Sequence, residues 1–320
     1  MPVGVITHLH NVNFSELRAL AQAAESAGAD WLGIPDAFWW RDSWMLLAEA
    51  ARVTERVELG PMVTNPYLRH PFHTLAAVAS LQDLAGPRVF LGLAAGGSEV
   101  SGAAGVSRRD APERLRELAA LLRSVAGGEA LDPGSGRRLE VPLREAPILI
   151  AGRGDGILRA AGRVADRALL WAVPVSELSR SVAQIQTGVE RGRDAPSERP
   201  ELVWAPLVDH GGASRERVRN IAAYSVLNSR AEVQARWGLA PADVAKLREL
   251  LVGGGARAAA DLVPAAALED LIISDPDPAR VGGIALDIGA TSLALPAFSI
   301  EELPERVSWA RQVLAHALSS

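Results

Sequence analysis

The sequence predicts an α/β protein, a (β/α)8 TIM barrel with a helical insertion before its last strand. Apolar strand-like segments and amphipathic helix-like segments alternate from the N-terminus onward. The strand-like segments are apolar on both faces, which is typical of parallel strands covered by helices. Eight such units fit within the 320 residues of the chain. A doubly wound sheet is the alternative, but it would require a glycine-rich dinucleotide fingerprint near the N-terminus, which the sequence lacks.

The first four units occupy the N-terminal third of the chain. Asn13 followed by Glu16 resembles a capping box, and Gly28 suits the position just after a helix, so these residues bracket the first helix. Pro61 lies in an otherwise apolar strand and indicates a bulge there, because proline cannot donate to a sheet ladder. We predict strands over 3–7, 31–35, 57–64 and 88–96, and helices over 13–27, 45–55 and 73–85.

The other four units are separated by longer connections. Asp110 and Pro112 predict the start of a helix, and Gly127 predicts its end. All segments are expected to belong to one barrel domain over residues 1–320. We predict strands over 147–151, 167–173, 201–208 and 285–296, a closing helix over 301–318, an irregular excursion over 130–147 and a helical insertion over 231–280.

Composition narrows the function classes. The net charge of −5 shows no basic excess, so nucleic acid is not an expected partner. The chain has no cysteine, which excludes disulfides, thiolate metal sites and a cysteine nucleophile. Its 6 histidines do not follow metal-ligand spacing, so we expect no metal site. We see no signal peptide and no apolar run of roughly 18 residues, so we expect a cytoplasmic protein with no membrane partner.

Unusual residues gather where the predicted strands end, and in a barrel these loops carry the active site. His8 follows the first strand and Asp36 follows the second. Several tryptophans lie in or near the same loops and favour a flat apolar pocket, although each one alone is as readily a core residue. We expect substrate contacts from Trp39, Trp40, Tyr67, Trp171 and Trp204.

A glycine-rich loop, AGRGDG over 151–156, follows a strand and precedes a helix. Backbone N–H groups at the start of a helix favour an anion, and Arg153 adds a charge suited to phosphate. The spacing G-x-G-x-G is weaker than a dinucleotide fingerprint, so a tight structural turn remains the alternative. The loop AAGGS over 94–98 has the same two interpretations.

Longer stretches carry a family likeness. DAFWWRD and ELGPMVTNPYLRHPFHTLAAVASLQDLAGPRVFLGLAAGGS lie within residues 36–98, and ILIAGRGDGILRAAGRVADRALL follows from residue 148. These stretches resemble the luciferase-like flavin and deazaflavin oxidoreductases. The nearest pattern is that of the methylenetetrahydromethanopterin reductases, which use coenzyme F(420), an 8-hydroxy-5-deazaflavin. The run VTNPYxRHP is the most specific part of the likeness.

The resemblance implies where a cofactor would lie. It implies a cis peptide between Met62 and Val63, with the cofactor ring resting on that strand. It also implies that a loop after the fourth strand lines the ring and that the glycine loop at 151–156 holds the phosphate. The cofactor-binding residues implied in this way are Asp36, Met62, Val63, Thr64, Ala95, Gly96, Gly97, Ser98, Gly152, Arg153 and Gly154.

The chain departs from the family pattern at positions that carry chemistry. Ala37 stands where deazaflavin-dependent members usually have histidine, and Ile6 stands where methanopterin reductases have a catalytic glutamate. Gly97 replaces an acidic residue of some relatives. We therefore predict that His8 transfers protons and that Asp36 orients substrate or water, because histidine titrates near neutral pH.

Three functions remain open on these observations. The first is hydride transfer between coenzyme F(420) and a bulky or apolar organic substrate. The second is an FMN-dependent monooxygenase that takes reduced FMN from a partner reductase. The third is a flavin-binding protein without turnover. We expect a small-molecule substrate and a homodimer, and a flavin or deazaflavin reductase that supplies reduced cofactor is an open alternative as partner.

Overall fold

The computed structural model describes residues 1–7, 12–212 and 214–319, without the side chains of residues 98, 99 and 319. Eight parallel strands form its main sheet, and a second sheet has two short strands. The main-sheet strands are β1 (Val3–Thr7), β2 (Trp31–Ile34), β3 (Glu58–Pro61), β4 (Leu91–Leu93), β5 (Ile148–Ala151), β6 (Arg167–Trp171), β7 (Glu201–Ala205) and β10 (Ser292–Ala297). The second sheet contains β8 (Leu207–Val208) and β9 (Ile272–Ile273).

The main sheet closes into a barrel. Its strand order is β3-β2-β1-β10-β7-β6-β5-β4. Isolated bridges from Leu59 to Val89 and from Thr64 to Leu93 join the two ends of this order. The predicted (β/α)8 fold is therefore confirmed. The doubly wound alternative is excluded, because the two end strands of an open sheet would have no partner along their outer edges.

Helices cover the outside of the barrel and form the predicted insertion. Within the described residues, none is long and apolar enough to cross a membrane. They are α1 (Phe14–Ser26), α2 (Ser43–Ala51), α3 (Pro71–Ala85), α4 (Ser98–Ala103), α5 (Ala111–Ala126), α6 (Asp155–Val164), α7 (Leu178–Glu190), α8 (Ser214–Leu227), α9 (Ala231–Arg236), α10 (Pro241–Val252), α11 (Ala256–Ala260), α12 (Ala265–Leu271), α13 (Pro278–Asp287) and α14 (Leu303–Ser319), with a 3₁₀ turn at Val175–Glu177.

Most element boundaries follow the local sequence signals. Asn13 and Glu16 form the expected capping box, in which each side chain accepts a hydrogen bond from the other residue's backbone N–H at 2.9 Å. The last strand was predicted too early, because residues 285–287 complete α13 and β10 starts only at Ser292. The segment predicted as a strand over 201–208 is divided, because its last two residues pair with β9 instead.

Large side chains fill the barrel interior, and glycines on neighbouring strands make room for them. A Cβ atom at Gly4 would lie 1.9 Å from the Trp31 ring, and one at Gly60 would lie 2.7 Å from the Phe90 ring. Trp31 and Phe90 pack edge to face, with ring centroids 5.7 Å apart. The interior cluster consists of Ile6, Trp31, Met62, Phe90, Leu149, Leu169, Val203, Ala205 and Ala294.

The insertion has an apolar cluster of its own. Helix α8 packs against α10, α11 and α12, and this packing buries alanines, valines and leucines between them. One face of α8 contributes Val218, Ala222 and Val226 to this cluster. The opposite face of the same helix is turned toward the barrel mouth, where the candidate site lies.

Candidate functional site

A cavity of about 1230 Å³ opens at the carboxyl ends of the barrel strands. Its floor is Val63, Ala151 and Trp171, which also pack on top of the interior cluster. The floor therefore combines three apolar groups from the carboxyl ends of β3, β5 and β6. The Met62–Val63 peptide at the edge of this floor is cis, as the sequence predicted.

Glycine-rich loops form one side of the cavity. Gly96 and Gly97 follow β4, and Gly152 and Gly154 follow β5. Gly154 is the residue before α6, and no side chain caps this helix, so its first-turn N–H groups have no side-chain acceptor from the cap. A Cβ atom at Gly154 would have no neighbour within 4 Å. This loop and helix start have the local geometry that suits an anion.

Arg153 has a different environment from the one the sequence suggested. Its Nε and Nη2 donate to the carbonyl of Trp171 at 3.3 and 3.0 Å. Its Nη1 donates to the carbonyl of Ser225 and its Nη2 to the Ser225 hydroxyl, both at 2.9 Å. The guanidinium thus joins the end of β6 to α8, and we call these four bonds the Arg153 clamp. The clamp gives these donors protein acceptors, and the expected phosphate contact stays a prediction.

Two further arginines line the cavity beside the glycine loops. Arg108 donates to the carbonyl of Gly96, and Arg109 follows it directly. The helix that begins at Ala111 lies against the start of α6, because a Cβ atom at Gly156 would be 2.9 Å from Pro112. The two arginines therefore stand near the uncapped start of α6.

The opposite wall of the cavity is the polar face of α8. Successive turns of this helix place Arg217, Asn220 and Tyr224 along the wall, with Ile221 between them, and Asn228 follows directly after the helix. Two tryptophans from the loop after β2, Trp39 and Trp40, line the cavity from another side, with ring centroids 6.4 Å apart. Phe298 after β10 and Ala256 of α11 complete that part of the lining.

The described lining carries an excess of positive charge. Four arginines contribute to it, whereas one glutamate does, in a protein whose formal net charge is −5. The glutamate, Glu216, lies 3.5 Å from Arg257 in an exposed ion pair. An electropositive cavity in an acidic protein attracts anionic molecules.

Ten of the residues expected at the site line this cavity. They come from four loops and the end of β6, which explains why sequence spacing alone could not group them. These residues are Trp39, Trp40, Val63, Ala95, Gly96, Gly97, Gly152, Arg153, Gly154 and Trp171. His8 and the side chain of Ser98 lie outside the described residues.

Trp204 does not line the cavity, contrary to expectation. Its neighbours Val203 and Ala205 face the barrel interior. Since successive residues of a strand point to opposite faces, Trp204 points outward and packs under the helices, with 1% of its surface exposed. Trp171 pairs with Ala205 across the sheet and therefore shares the inward direction.

Tyr67 is also absent from the lining. Its hydroxyl donates to the Asp110 carboxylate at 2.8 Å, and Arg114 lies over its ring at 5.1 Å. Burial and the hydrogen bond to Asp110 raise the pKa of Tyr67 to about 12. The side chain thus joins the loop after β3 to the start of α5, a structural contact in place of the expected substrate contact.

Three other expected residues lie next to the cavity without lining it. Met62 is part of the interior cluster beneath the floor, and Thr64 is fully buried. Asp36 is half-buried after β2 and is not part of the described lining, so its predicted catalytic role gains no geometric support.

Sequence reasoning missed the arginines at 108 and 109 and the whole of the α8 wall. A signal was present in RVRNIAAYSVLN over 217–228, where polar residues recur every three or four positions opposite a small apolar stripe. A helix with two such faces packs on one side only. The pattern does not say, however, that its polar side faces a cavity.

The comparisons with known proteins agree with this architecture. The family model of luciferase-like monooxygenases matches residues 1–282. The chain belongs to this family. Among curated members it is 28% identical over 285 residues to the 5,10-methylenetetrahydromethanopterin reductase of Methanolobus tindarius, which covers 85% of this chain and 87% of that one.

Two other relatives support the assignment. The F(420)-dependent hydroxymycolic acid dehydrogenase of Mycobacterium tuberculosis is 29% identical, over 67% of this chain and 65% of that protein. The coenzyme F(420)-dependent tetrahydromethanopterin reductase of Methanopyrus kandleri shares the fold, with a TM-score of 0.79, 21% identity and 98% coverage of both chains. The expected resemblance is therefore confirmed, and the protein is a luciferase-like oxidoreductase or monooxygenase in the broad sense.

Proposed function

We propose that this luciferase-like protein transfers a hydride between coenzyme F(420) and a bulky or apolar organic substrate. The observation that carries the proposal is a cavity with an apolar floor, a glycine cradle at one side and arginines beyond the cradle. Curated relatives that include an F(420)-dependent dehydrogenase support the choice of cofactor.

The residues present fit a deazaflavin. Ligand pockets commonly have volumes of about 300–1,000 Å³, so the cavity of about 1230 Å³ has room for a cofactor and a substrate together. A deazaflavin supplies a carbon centre that accepts or gives a hydride. The apolar floor would support its rings and exclude water from one face. The N–H groups after Gly154 would hold its phosphate.

The arginines at the rim favour coenzyme F(420) over FMN. The tail of coenzyme F(420) continues beyond its phosphodiester into lactate and glutamates, whereas FMN ends at its phosphate. In this assignment Arg109 serves the longer tail, since it stands near the start of α6 and has no hydrogen bond or ion pair among the described residues.

A titration with both cofactors tests this proposal. Purified protein is titrated with coenzyme F(420) and with FMN, and ring fluorescence reports binding. We expect micromolar affinity for coenzyme F(420) and affinity for FMN that is weaker by about tenfold or more. Tight binding of FMN with no binding of the deazaflavin would refute the proposal.

An arginine pair sharpens the same experiment. Arg109→Met should weaken the affinity for coenzyme F(420) about tenfold and leave the affinity for FMN unchanged, because only coenzyme F(420) carries the anionic tail. Arg116→Met removes the same charge from α5, but Arg116 is outside the described lining and pairs with Glu113 at 3.1 Å. It should leave both affinities unchanged.

A further inference from the structure

The first half of the α8 wall, away from the Arg153 clamp, carries a cation and an amide whose oxygen has no partner among the described residues. Arg217 stands on the first half of α8, where its Nη1 donates to the carbonyl of Phe298 and its guanidinium lies 5.8 Å from the Phe298 ring centroid. One turn further along, Asn220 also lines the cavity. Its Oδ1 is buried without a hydrogen-bond partner among the described residues.

A buried amide atom without a partner is costly, which makes Asn220 informative. The cost is the desolvation of a polar group without a compensating hydrogen bond. Rotation of the amide by 180° exchanges its oxygen and nitrogen, so Asn220 can present either an acceptor or a donor to a ligand. The oxygen itself is closed off from the cavity, so a ligand would reach it only when the amide turns toward the cavity that Asn220 lines.

Apolar residues lie around this pair, and the exception is Glu216, whose carboxylate pairs with Arg257. Ile221 follows Asn220 on the wall, and Phe298 lies beside Arg217. The Trp39–Trp40 pair also lines the cavity. A ligand that binds this pair and extends along the cavity would therefore meet apolar side chains of the lining, with a guanidinium and an amide at one edge.

This half of the α8 wall is separate from the place assigned to the cofactor tail. Arg217 precedes Ser225, a member of the Arg153 clamp, by eight positions on one helix, which corresponds to about 12 Å along its axis. Arg217 is anchored beside β10, whereas the clamp lies beside β5 and β6. The two halves of α8 thus border different parts of the cavity.

We propose that Arg217 and Asn220 recognise the carboxylate of an organic acid whose apolar body lies against Trp39, Trp40, Ile221 and Phe298. Guanidinium groups bind carboxylates through charge-assisted hydrogen bonds. Asn220 supplies the second polar contact, and the apolar residues select the body of the substrate. The proposal rests on the proposed function only in assigning the glycine-loop end to the cofactor.

The probe pair is 3-phenylpropanoate and 3-phenylpropanamide, which share size and apolar body but differ in charge. Binding to the purified protein is measured by calorimetry and by tryptophan fluorescence, with and without coenzyme F(420). We expect the wild-type protein to prefer the acid by about tenfold or more. Equal affinities for the acid and the amide, or no binding of either, would overturn the proposal.

Matched variants locate the preference. Arg217→Met should reduce the ratio of acid to amide affinity to about one, whereas Arg219→Met, on the same helix but outside the described lining, should leave the ratio unchanged. Asn220→Asp keeps the shape of the side chain but adds a negative charge. It should therefore weaken the affinity for the acid about tenfold and leave the affinity for the amide unchanged. If Arg217→Met does not fold, the effect of Asn220→Asp on the ratio of acid to amide affinity tests the proposal instead. Equal effects of the Arg217 and Arg219 variants would refute the assignment.

A cofactor titration separates this inference from the proposed function. If Arg217→Met weakened coenzyme F(420) as much as Arg109→Met does, Arg217 would serve the cofactor tail and the acid subsite would be refuted. If the wild-type protein bound FMN instead of coenzyme F(420) but retained the acid preference, the proposed function would fail and the acid subsite would stand.

Discussion

At the base of the barrel, where the strands begin, Arg167 pairs with two carboxylates, whereas at the mouth, where the strands end, four arginines and one glutamate belong to the described lining of a cavity. At the base, Arg167 donates to Glu58 at 2.6 Å and to Glu201 at 3.3 Å. At the mouth, Arg109 has no such partner among the described residues, and neither does the amide oxygen of Asn220.

Strand geometry places the base cluster inside the barrel. Arg167 has the same inward direction as Leu169, because they are two positions apart on β6. Burial would lower the pKa of Arg167, but Glu58 and Glu201 outweigh burial and raise that pKa. The comparison teaches that stability and binding are assigned to opposite ends, as is common in TIM barrels. Substitutions at each end should therefore change different measured quantities.

The largest effect is expected at the base. Arg167→Met would leave two partly buried carboxylates without their cation, so we expect a loss of about 3 kcal/mol in the free energy of unfolding. Urea unfolding measures this loss. Cofactor affinity of the folded fraction should not change.

An exposed arginine is the control for that substitution. Arg280 pairs with Asp275 at 3.3 Å, and both side chains are more than half exposed. Arg280→Met should change stability by less than about 0.5 kcal/mol. If Arg167→Met were equally mild, the base cluster would not be the stabilising end of the barrel.

The Arg153 clamp lies at the mouth, but we expect it to stabilise the fold, as the ion pairs at the base of the barrel do. Arg153→Lys keeps the charge, but a lysine ammonium lacks the planar guanidinium that donates to Trp171 and Ser225 at the same time. We expect the cofactor-free protein to lose about 2 kcal/mol of stability, as judged by urea unfolding. A phosphate ligand would show the opposite pattern, with unchanged stability of the cofactor-free protein and affinity largely retained by lysine.

A substitution at Gly154 tests whether a mouth residue can change cofactor affinity without changing stability. Gly154→Ala adds a Cβ atom that has no protein neighbour within 4 Å, so stability should change by less than about 1 kcal/mol. The same methyl group would narrow the cradle, so affinity for the cofactor should fall about tenfold. Gly283 on α13 is equally open and is outside the described lining, so Gly283→Ala should leave affinity unchanged. Parallel losses of stability and affinity at Gly154 would instead indicate a structural turn.

The smallest expected effect depends on pH and concerns a carboxylate at the base of the barrel, where the strands begin. Burial would raise the pKa of Glu25, but hydrogen bonds from the backbone N–H groups of Val57, Arg56 and Glu55 outweigh it and lower that pKa. A lowered folded-state pKa stabilises the fold above the unfolded-state value of about 4.3, and this contribution is lost as pH falls through the folded-state value.

Glu25→Gln should therefore destabilise the protein by about 1 kcal/mol at pH 7. The difference from wild type should shrink as pH falls below about 4.3, because the carboxyl of the unfolded chain then binds a proton before that of the folded protein does. Thermal unfolding between pH 3 and pH 7 measures this convergence. A constant difference across that range would show that the carboxylate charge contributes nothing.

The sequence by itself determined the barrel and the position of its glycine loops. Apolar periodicity, capping at Asn13 and the order of strand, loop and helix are local properties, so they can be read before the chain folds. Strand parity could also have separated Trp171 from Trp204, since the two residues occupy strands whose inward positions are visible in the alternation.

Only the tertiary structure decided which polar groups are available for binding. The sequence predicted Arg153 as a phosphate ligand, but it could not show that α8, 72 residues away, supplies two acceptors for the same guanidinium. Tyr67 likewise found Asp110, 43 residues away, and so has a structural role. The α8 wall entered the site because its apolar face packs on the insertion and leaves its polar face toward the mouth. These outcomes depend on contacts between distant segments, and local propensity carries no information about which partner a side chain meets.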